Sequence, residues 1–531
     1  MNAEVKPIEH PLQAGSVDGQ IAFGRSNVIR CLIAASFFLI ACLLVASIAN
    51  AGETPAPVSI STSAPVLASY LKSSSIDADD RLGSAIALSG NTLVVGAPGE
   101  DGSSGGDGTD NSGPLSGAAY VFARTGSGTW LQTAYLKPTN AGNSDQFGSA
   151  VAVSGDTIVV GAVFEDSASN DPNDNSASAA GAAYVFVRDG KGGWRQQAYL
   201  KASNAEAGDR FGSSVAVSGN TIAVGATGEA SGDPANPDDN SATRAGAVYV
   251  FARDGENWAQ QDYLKAANVD SQDEFGFSVD ISDTLIVVGA PNEDGSATGV
   301  DGQDDNLSES AGAAYLFESV DDNDWIQTAY LKASNSQSNS RFGSAVAISA
   351  TTLVVGAPDE NTNATGVDGE AAAVPAIRSG AAYVFERDEV DDWAQSAFLK
   401  ASNTDTQDRF GVTVAASGDL VIVGAPFEDG RSGGAPASNS RPDSGAAYVY
   451  ARQAGGNWVF DAYYKALHPG SGDAFGSAVD INGDIVVAAA VEEDSAATGI
   501  DSDQFDNSAE GAGAVYAYRG LPWIFADRFK P

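Results

Sequence analysis

The chain has 531 residues, 43% of them hydrophobic and 18% charged, with 60 glycines; such a composition supplies a core and excludes general disorder. Its 69 acidic and 28 basic residues give a formal charge of −41, a surface that repels DNA, RNA and anionic headgroups and excludes nucleic acid as a partner. Both cysteines, Cys31 and Cys42, lie before residue 52, and His468 is the one histidine beyond that point, so disulfides and multi-Cys/His zinc sites are excluded from the body of the chain.

At the N-terminus, Arg25 and Arg30 precede an uncharged apolar run, Cys31 to Ala49, which ends in the small-x-small pattern Ala49-Asn50-Ala51. This reads as an exported chain's signal segment over 1–51, cleaved after Ala51. An uncleaved membrane anchor and a lipoprotein-like box, Leu39-Ile40-Ala41-Cys42, are the alternatives; in those two cases alone would the protein touch a membrane. All three place the rest outside the cytoplasm: secreted, periplasmic or on the cell surface. Residues 52–66, rich in Pro, Ser, Thr and Ala, form a linker.

From Tyr70 onward one segment recurs seven times, about 65 residues apart. A Phe/Leu-Gly pair marks each copy, its glycine being Gly83, Gly148, Gly212, Gly276, Gly343, Gly411 or Gly476. Trp130, Trp194, Trp258, Trp325, Trp393, Trp458 and Trp523 keep the same beat. In the second copy, Phe147–Ser154 alternates small and apolar residues, Gly155-Asp156 is a turn, and Thr157–Ala162 is a fully apolar strand. After a long polar loop, Gly181–Arg188 is a third strand, Asp189–Gly193 a hairpin and Trp194–Lys201 a fourth strand. Four antiparallel strands repeated seven times predict an all-β, seven-bladed propeller over 67–531. Blade cores fall near 82–137, 147–201, 211–265, 275–332, 342–400, 410–465 and 475–530. A β-solenoid is the alternative, although its coils are usually shorter.

The signature Tyr/Phe-Leu/Tyr-Lys ends the fourth strand of the first six copies and also occurs at Tyr70-Leu71-Lys72, before any complete blade, while Trp523–Pro531 offers a poorer version. The two chain ends are therefore expected to pair and close the ring, which removes exposed edges. Which terminal strand lies outermost, that one or Trp523–Pro531, is left open. The lysines are expected at strand ends, their stems over aromatic surface.

Phe/Leu-Gly followed by Gly-Ala-Pro, as in Leu82-Gly83 with Gly96-Ala97-Pro98 and Phe275-Gly276 with Gly289-Ala290-Pro291, resembles the FG-GAP repeats of integrin α-subunits and of many exported bacterial proteins. Copies two, three and seven depart at the proline: Gly161-Ala162-Val163, Gly225-Ala226-Thr227 and Ala488-Ala489-Ala490. The resemblance implies the same propeller and a binding, adhesion or scaffold role. Calcium-binding members carry an Asp-x-Asp-x-Asp-Gly loop where this chain has tight turns such as Ser154-Gly155-Asp156, too short to wrap Ca²⁺. The family's usual metal site is not carried over.

Acid instead occupies the loop between strands two and three. Four residues after the marker Gly/Ala stands a glutamate: Glu100, Glu165, Glu229, Glu293, Glu360, Glu428 and Glu492. Five are followed by Asp101, Asp166, Asp294, Asp429 or Glu493, and Asp-Asn pairs recur further on. Connectivity puts these loops on one rim. As hard-cation sites, calcium being the cofactor expected, the best candidates are Glu293, Asp294, Asp301, Asp304 and Asp305, then Glu492, Glu493, Asp494, Asp501, Asp503 and Asp506. The competing reading makes them turn formers or glutamates that accept N–H bonds at the loop base. Asp80, Asp145, Asp209, Asp273, Asp408 and Asp473, each two residues before the Phe/Leu, read as turn residues; Ser340 replaces them in copy five.

No Gly-x-Ser-x-Gly elbow occurs, and His468 sits in the turn His468-Pro469-Gly470. No catalytic residue is assigned. The function expected is a monomeric, exported, non-enzymatic propeller that binds a protein or glycan through its acidic loop face. A carboxylate-based carbohydrate hydrolase and a structural envelope component are the alternatives.

Overall fold

The computed structural model describes residues 66–519 except 104–107, 172–173, 304, 321–323, 389–391 and 431–438. By contacts the chain divides into Met1–Thr62 and Ser63–Pro531. The N-terminal segment with Cys42, Ala49 and Ala51, and the Trp523–Pro531 strand, lie outside the described residues.

Alternating small and apolar residues give each first strand, for example Phe147–Ser154, and continuous Val, Ile and Leu give the buried second strand Thr157–Ala162. Ala182–Arg188 and Trp194–Leu200 complete that sheet in sequence order. Among the described residues there are seven such four-stranded antiparallel units and no helix. Among the described residues no helix is long and apolar enough to cross a membrane. The first strands of all seven blades line an axial channel of about 420 Å³. The chain is a seven-bladed β-propeller.

The seventh sheet answers the question of closure. Val66–Leu71 pairs antiparallel with Ala514–Arg519, Tyr70 opposite Tyr516, and is the outermost strand of that blade. Blade seven is thus built from 475–519 plus 66–71, and its strand begins at Val66, one residue inside the expected linker.

The two signature glycines have one explanation. A Cβ on Gly96 would stand 2.0 Å from the carbonyl oxygen of Gly148, and Gly148 itself has φ +96°. The second-strand glycine of one blade therefore receives the backbone of the next blade's first strand, with no room for a side chain. The same touch recurs from Gly161–Gly212 to Gly424–Gly476. At the seam the partner of Gly83 is Ala489. Ala490 pairs with Ala514 as Ala97 pairs with Ala118. The seventh marker is therefore Ala489, not Ala488, and the Gly-Ala-Pro equivalent is Ala489-Ala490-Val491. Bridges from Gly117 to Phe147 through Gly445 to Phe475 stitch successive blades, and Leu82 N–H donates to Ala512 O across the seam.

Buried aromatic rings fill the wedges. Phe147 meets Tyr184 and Phe186 edge-on at 5.5 and 6.0 Å between centroids. Such pairs add about 0.5–1.5 kcal/mol each beyond area burial. In blades four and five, Gly299–Val300 and Gly366–Val367 add a short fifth strand along the fourth, covering the outer edge.

Candidate functional site

The two hairpins of each blade lie at one end of the ring, and the long second-to-third-strand loops and the connections between blades lie at the other. The repeated glutamates sit at the base of that second face, where each takes the lysine that ends a fourth strand. The pairs are Lys137–Glu100 (2.6 Å), Lys201–Glu165 (3.1 Å), Lys265–Glu229 (2.9 Å), Lys332–Glu293 (2.6 Å), Lys400–Glu360 (2.8 Å), Lys465–Glu428 (2.5 Å) and Lys72–Glu493 (2.9 Å), every side chain at most 5% exposed. The lysines do not merely cover aromatic surface. Lys137 Nζ also donates to Gly117 O and Ser116 Oγ, and Tyr135 Oη donates to Glu100. Burial pushes the ammonium groups of Lys72, Lys137, Lys201, Lys265, Lys400 and Lys465 down, against the pull of their glutamates. In the seventh blade the paired acid is Glu493. Glu492, the residue expected there, is half exposed and lies 3.9 Å from Arg81, the one-residue offset of the Ala489 marker.

The acid after each glutamate closes the loop. Asp101, Asp166, Asp294, Asp429 and Asp494 accept the N–H of Leu115, Ala179, Ser310, Asp443 and Gly511; Asn361 does the same for Arg378. In the Asp-Asn pairs, Asp110 accepts the Ser103 and Ser112 hydroxyls and Asp305 accepts that of Ser296, which hold these carboxyls low, as Ser176 and Ser169 do for Asp174. Asn111, Asn240 and Asn306 donate to Asp77, Glu206 and Asp270 of the connection entering their own blade.

The acids expected to hold a cation are spread over these tasks. Glu293 is paired with Lys332, Asp294 and Asp305 hold loop N–H groups, and Asp301 accepts the N–H of Tyr330. In the seventh blade Asp501 accepts Tyr70 N–H, and Asp503 accepts Phe505 N–H. Asp506 is half-buried in the same loop, and Asp304 lies outside the described residues. Among the described residues no three such groups gather where one ion could bind.

The aspartates before each Phe/Leu are turn residues as expected: Asp80, Asp145, Asp209, Asp273, Asp408 and Asp473 each accept the N–H three residues back. They are also buried, which pushes their carboxyls up to between about 6 and about 8.

Two features were missed in the repeat pattern because they break it. Asp280 and Asp480 stand in the channel wall, each accepting its own following N–H and one from the next blade, Ile348 or Leu88. Burial pushes these carboxyls up to about 6 and about 7. On the loop face, a groove of about 630 Å³ opens between blades six and seven, lined by Arg441, His468, Asp494, Gln504, Phe505 and Asn507 among others. His468 packs on Phe505 with centroids 4.1 Å apart. Phe505 is 74% exposed, and Gln504 Oε1 is buried without a partner. Only the histidine's uniqueness could have marked this place in the sequence.

A family model described as FG-GAP repeat matches residues 69–122, 130–186, 194–251, 258–317, 325–385 and 393–450. Residues 475–519 of the seventh blade, with alanine at the marker, fall outside those matches, and of that blade only 69–71 in its outer strand is covered. No curated protein matches the chain. Among solved structures, the Pseudomonas aeruginosa periplasmic gluconolactonase PpgL is similar at 13% identity, over 73% of this chain and 86% of that one, with a TM-score of 0.41.

Proposed function

Since the chain belongs to the FG-GAP repeat family, we propose that it is an exported, non-enzymatic binding propeller that takes its ligand on the long-loop face, in the groove between blades six and seven. One observation carries this reading: the loop face is sevenfold in its buried Lys–Glu pairs, yet at this groove it presents a stacked His468–Phe505 pair within a polar rim. Exposed aromatic surface bordered by a few polar groups is how a binding site fixes a ligand. A glycan suits it best, a sugar's C–H face on the rings and its hydroxyls toward Arg441, Gln504 and Asn507. Export is supported by the apolar run and small-residue pattern ending at Ala51. The reading needs no bound cation.

A glycan array probed with the protein and with Phe505→Ala tests it. Binding lost in the variant supports the groove; equal binding by both rejects it. A carboxylate hydrolase is the second reading, favoured by Asp280 and Asp480 in the channel. It predicts glycoside turnover that Asp280→Asn abolishes.

A further inference from the structure

Elsewhere on the loop face, at blade five, positive charge collects in a chain that is otherwise strongly acidic. Arg341, Arg378 and Arg409 point their Nε atoms at one carboxylate, Asp359, at 3.7, 3.8 and 3.4 Å. Asp359 is buried, its side chain 11% exposed, whereas the arginine side chains are 55%, 49% and 34% exposed. The three come from separate connections that meet there: Arg409 N–H donates to Arg378 O at 3.0 Å across the blade boundary.

Other blades do not build this. At the place of Asp359 they carry Gly99, Phe164, Gly228, Asn292, Phe427 and Glu492. Where arginines occur at matching places elsewhere no three share a carboxylate: Arg81 lies near Glu492, Arg244 pairs with Glu274, and Arg210 lies over Phe164 much as Arg409 also lies over Phe427. Blade five also has one acid fewer, because Ser340, whose buried hydroxyl has no partner, stands where six copies have aspartate.

Three guanidiniums on one carboxylate leave two positive charges and most of their N–H donors turned to solvent. One arginine suffices to neutralise Asp359, and Asp359 Oδ1 has no hydrogen bond from any of them. Guanidinium forks match the oxygens of carboxylate, sulfate and phosphate groups.

We propose that Arg341, Arg378 and Arg409, held together by Asp359, form an oxyanion-binding site for a compact ligand bearing one carboxylate, sulfate or phosphate group. Extended polyanions do not fit, because the net charge of −41 opposes them away from this spot.

The test follows the melting temperature during titration with sulfate, phosphate and acetate up to ~10 mM at constant ionic strength, where general salting effects are small. The expected result is a saturable rise with at least one anion, and its identity separates carboxylate from sulfate or phosphate. The rise is lost in Arg341→Gln/Arg378→Gln and kept in Arg81→Gln. Should the double variant not fold, Arg378→Lys keeps the charge without the fork and weakens the midpoint about tenfold. No saturable rise with any anion, or a rise unchanged in the folded variant, overturns the proposal.

Discussion

Replacing Lys400 by methionine removes one partner of the most enclosed ion pair in the ring. Lys400 and Glu360 have fully buried side chains 2.8 Å apart. Glu360 keeps Thr362 N–H and Oγ1 and Asn335 Nδ2 as donors, so its oxygens stay bonded while its charge loses compensation. Ser379 Oγ and Thr362 O lose their Lys400 donor as well. Stranding one charge of a buried pair costs about 3–5 kcal/mol; with three donors left on Glu360, about 3 kcal/mol is expected. Lys400→Met/Glu360→Gln removes both charges and should cost less than Lys400→Met alone, because no buried ion remains. Urea unfolding followed by tryptophan fluorescence, with Trp393 buried in the same blade, reads both, and the loss should not change with salt, unlike that of an exposed pair. A single variant within about 1 kcal/mol of the parent, or a double variant as damaged as the sum of the singles, would refute the view that these pairs act as coupled buried latches.

Stability should fall as pH rises. The folded carboxyl of Asp273 is pushed up to about 8 and that of Asp80 to about 7. The folded state therefore holds extra protons between about pH 4 and 8, and the slope of stability with pH is negative there. Asp273→Asn should flatten that slope by on the order of 2–4 kcal/mol between about pH 5 and 8, checked by urea midpoints at both pH values. Gly148→Ala should abolish or badly impair folding, since its Cβ would meet Ala118 O at 2.2 Å with φ +96°. Gly155→Ala, with open space and φ +56°, should cost only about 1–2 kcal/mol; thermal melts of both decide. Deleting residues up to Lys72 should leave Ala514–Arg519 as an open edge and turn the monomer expected from sequence into aggregates or swapped oligomers on size exclusion.

The ring was legible because its period is written in glycine and tryptophan, residues that crowded backbones and wedge-shaped gaps demand. Gly96 and Gly148 look like separate marks in the sequence, and only the fold shows that they touch. The latch was half legible in the same way. The recurrent glutamates and the recurrent Tyr-Leu-Lys lysines were both visible. Yet Lys201 and Glu165 stand 36 residues apart, on different elements with a long loop between them, so no local rule joins them. The seventh blade misled the count by one residue because Ala488, Ala489 and Ala490 are indistinguishable until pairing with Ala514 sets the register. Arg441, Phe505 and the arginines around Asp359 were invisible to a reading built on recurrence, since each occurs where the repeats differ.

The outermost strand of the last blade has a consequence in time. Lys72 meets Gly513 across 441 residues of chain, and Tyr70 faces Tyr516 beside them. As the polypeptide emerges from the ribosome, blade one can form long before blade seven has its partner. Val66–Leu71 must wait unpaired until Ala514–Arg519 arrives. Contacts so distant in sequence form slowly, and the waiting strand offers its edge to any neighbour meanwhile. The last step of maturation is thus a meeting of the earliest and latest parts of the propeller, and a helper that shields the early strand would act in that interval.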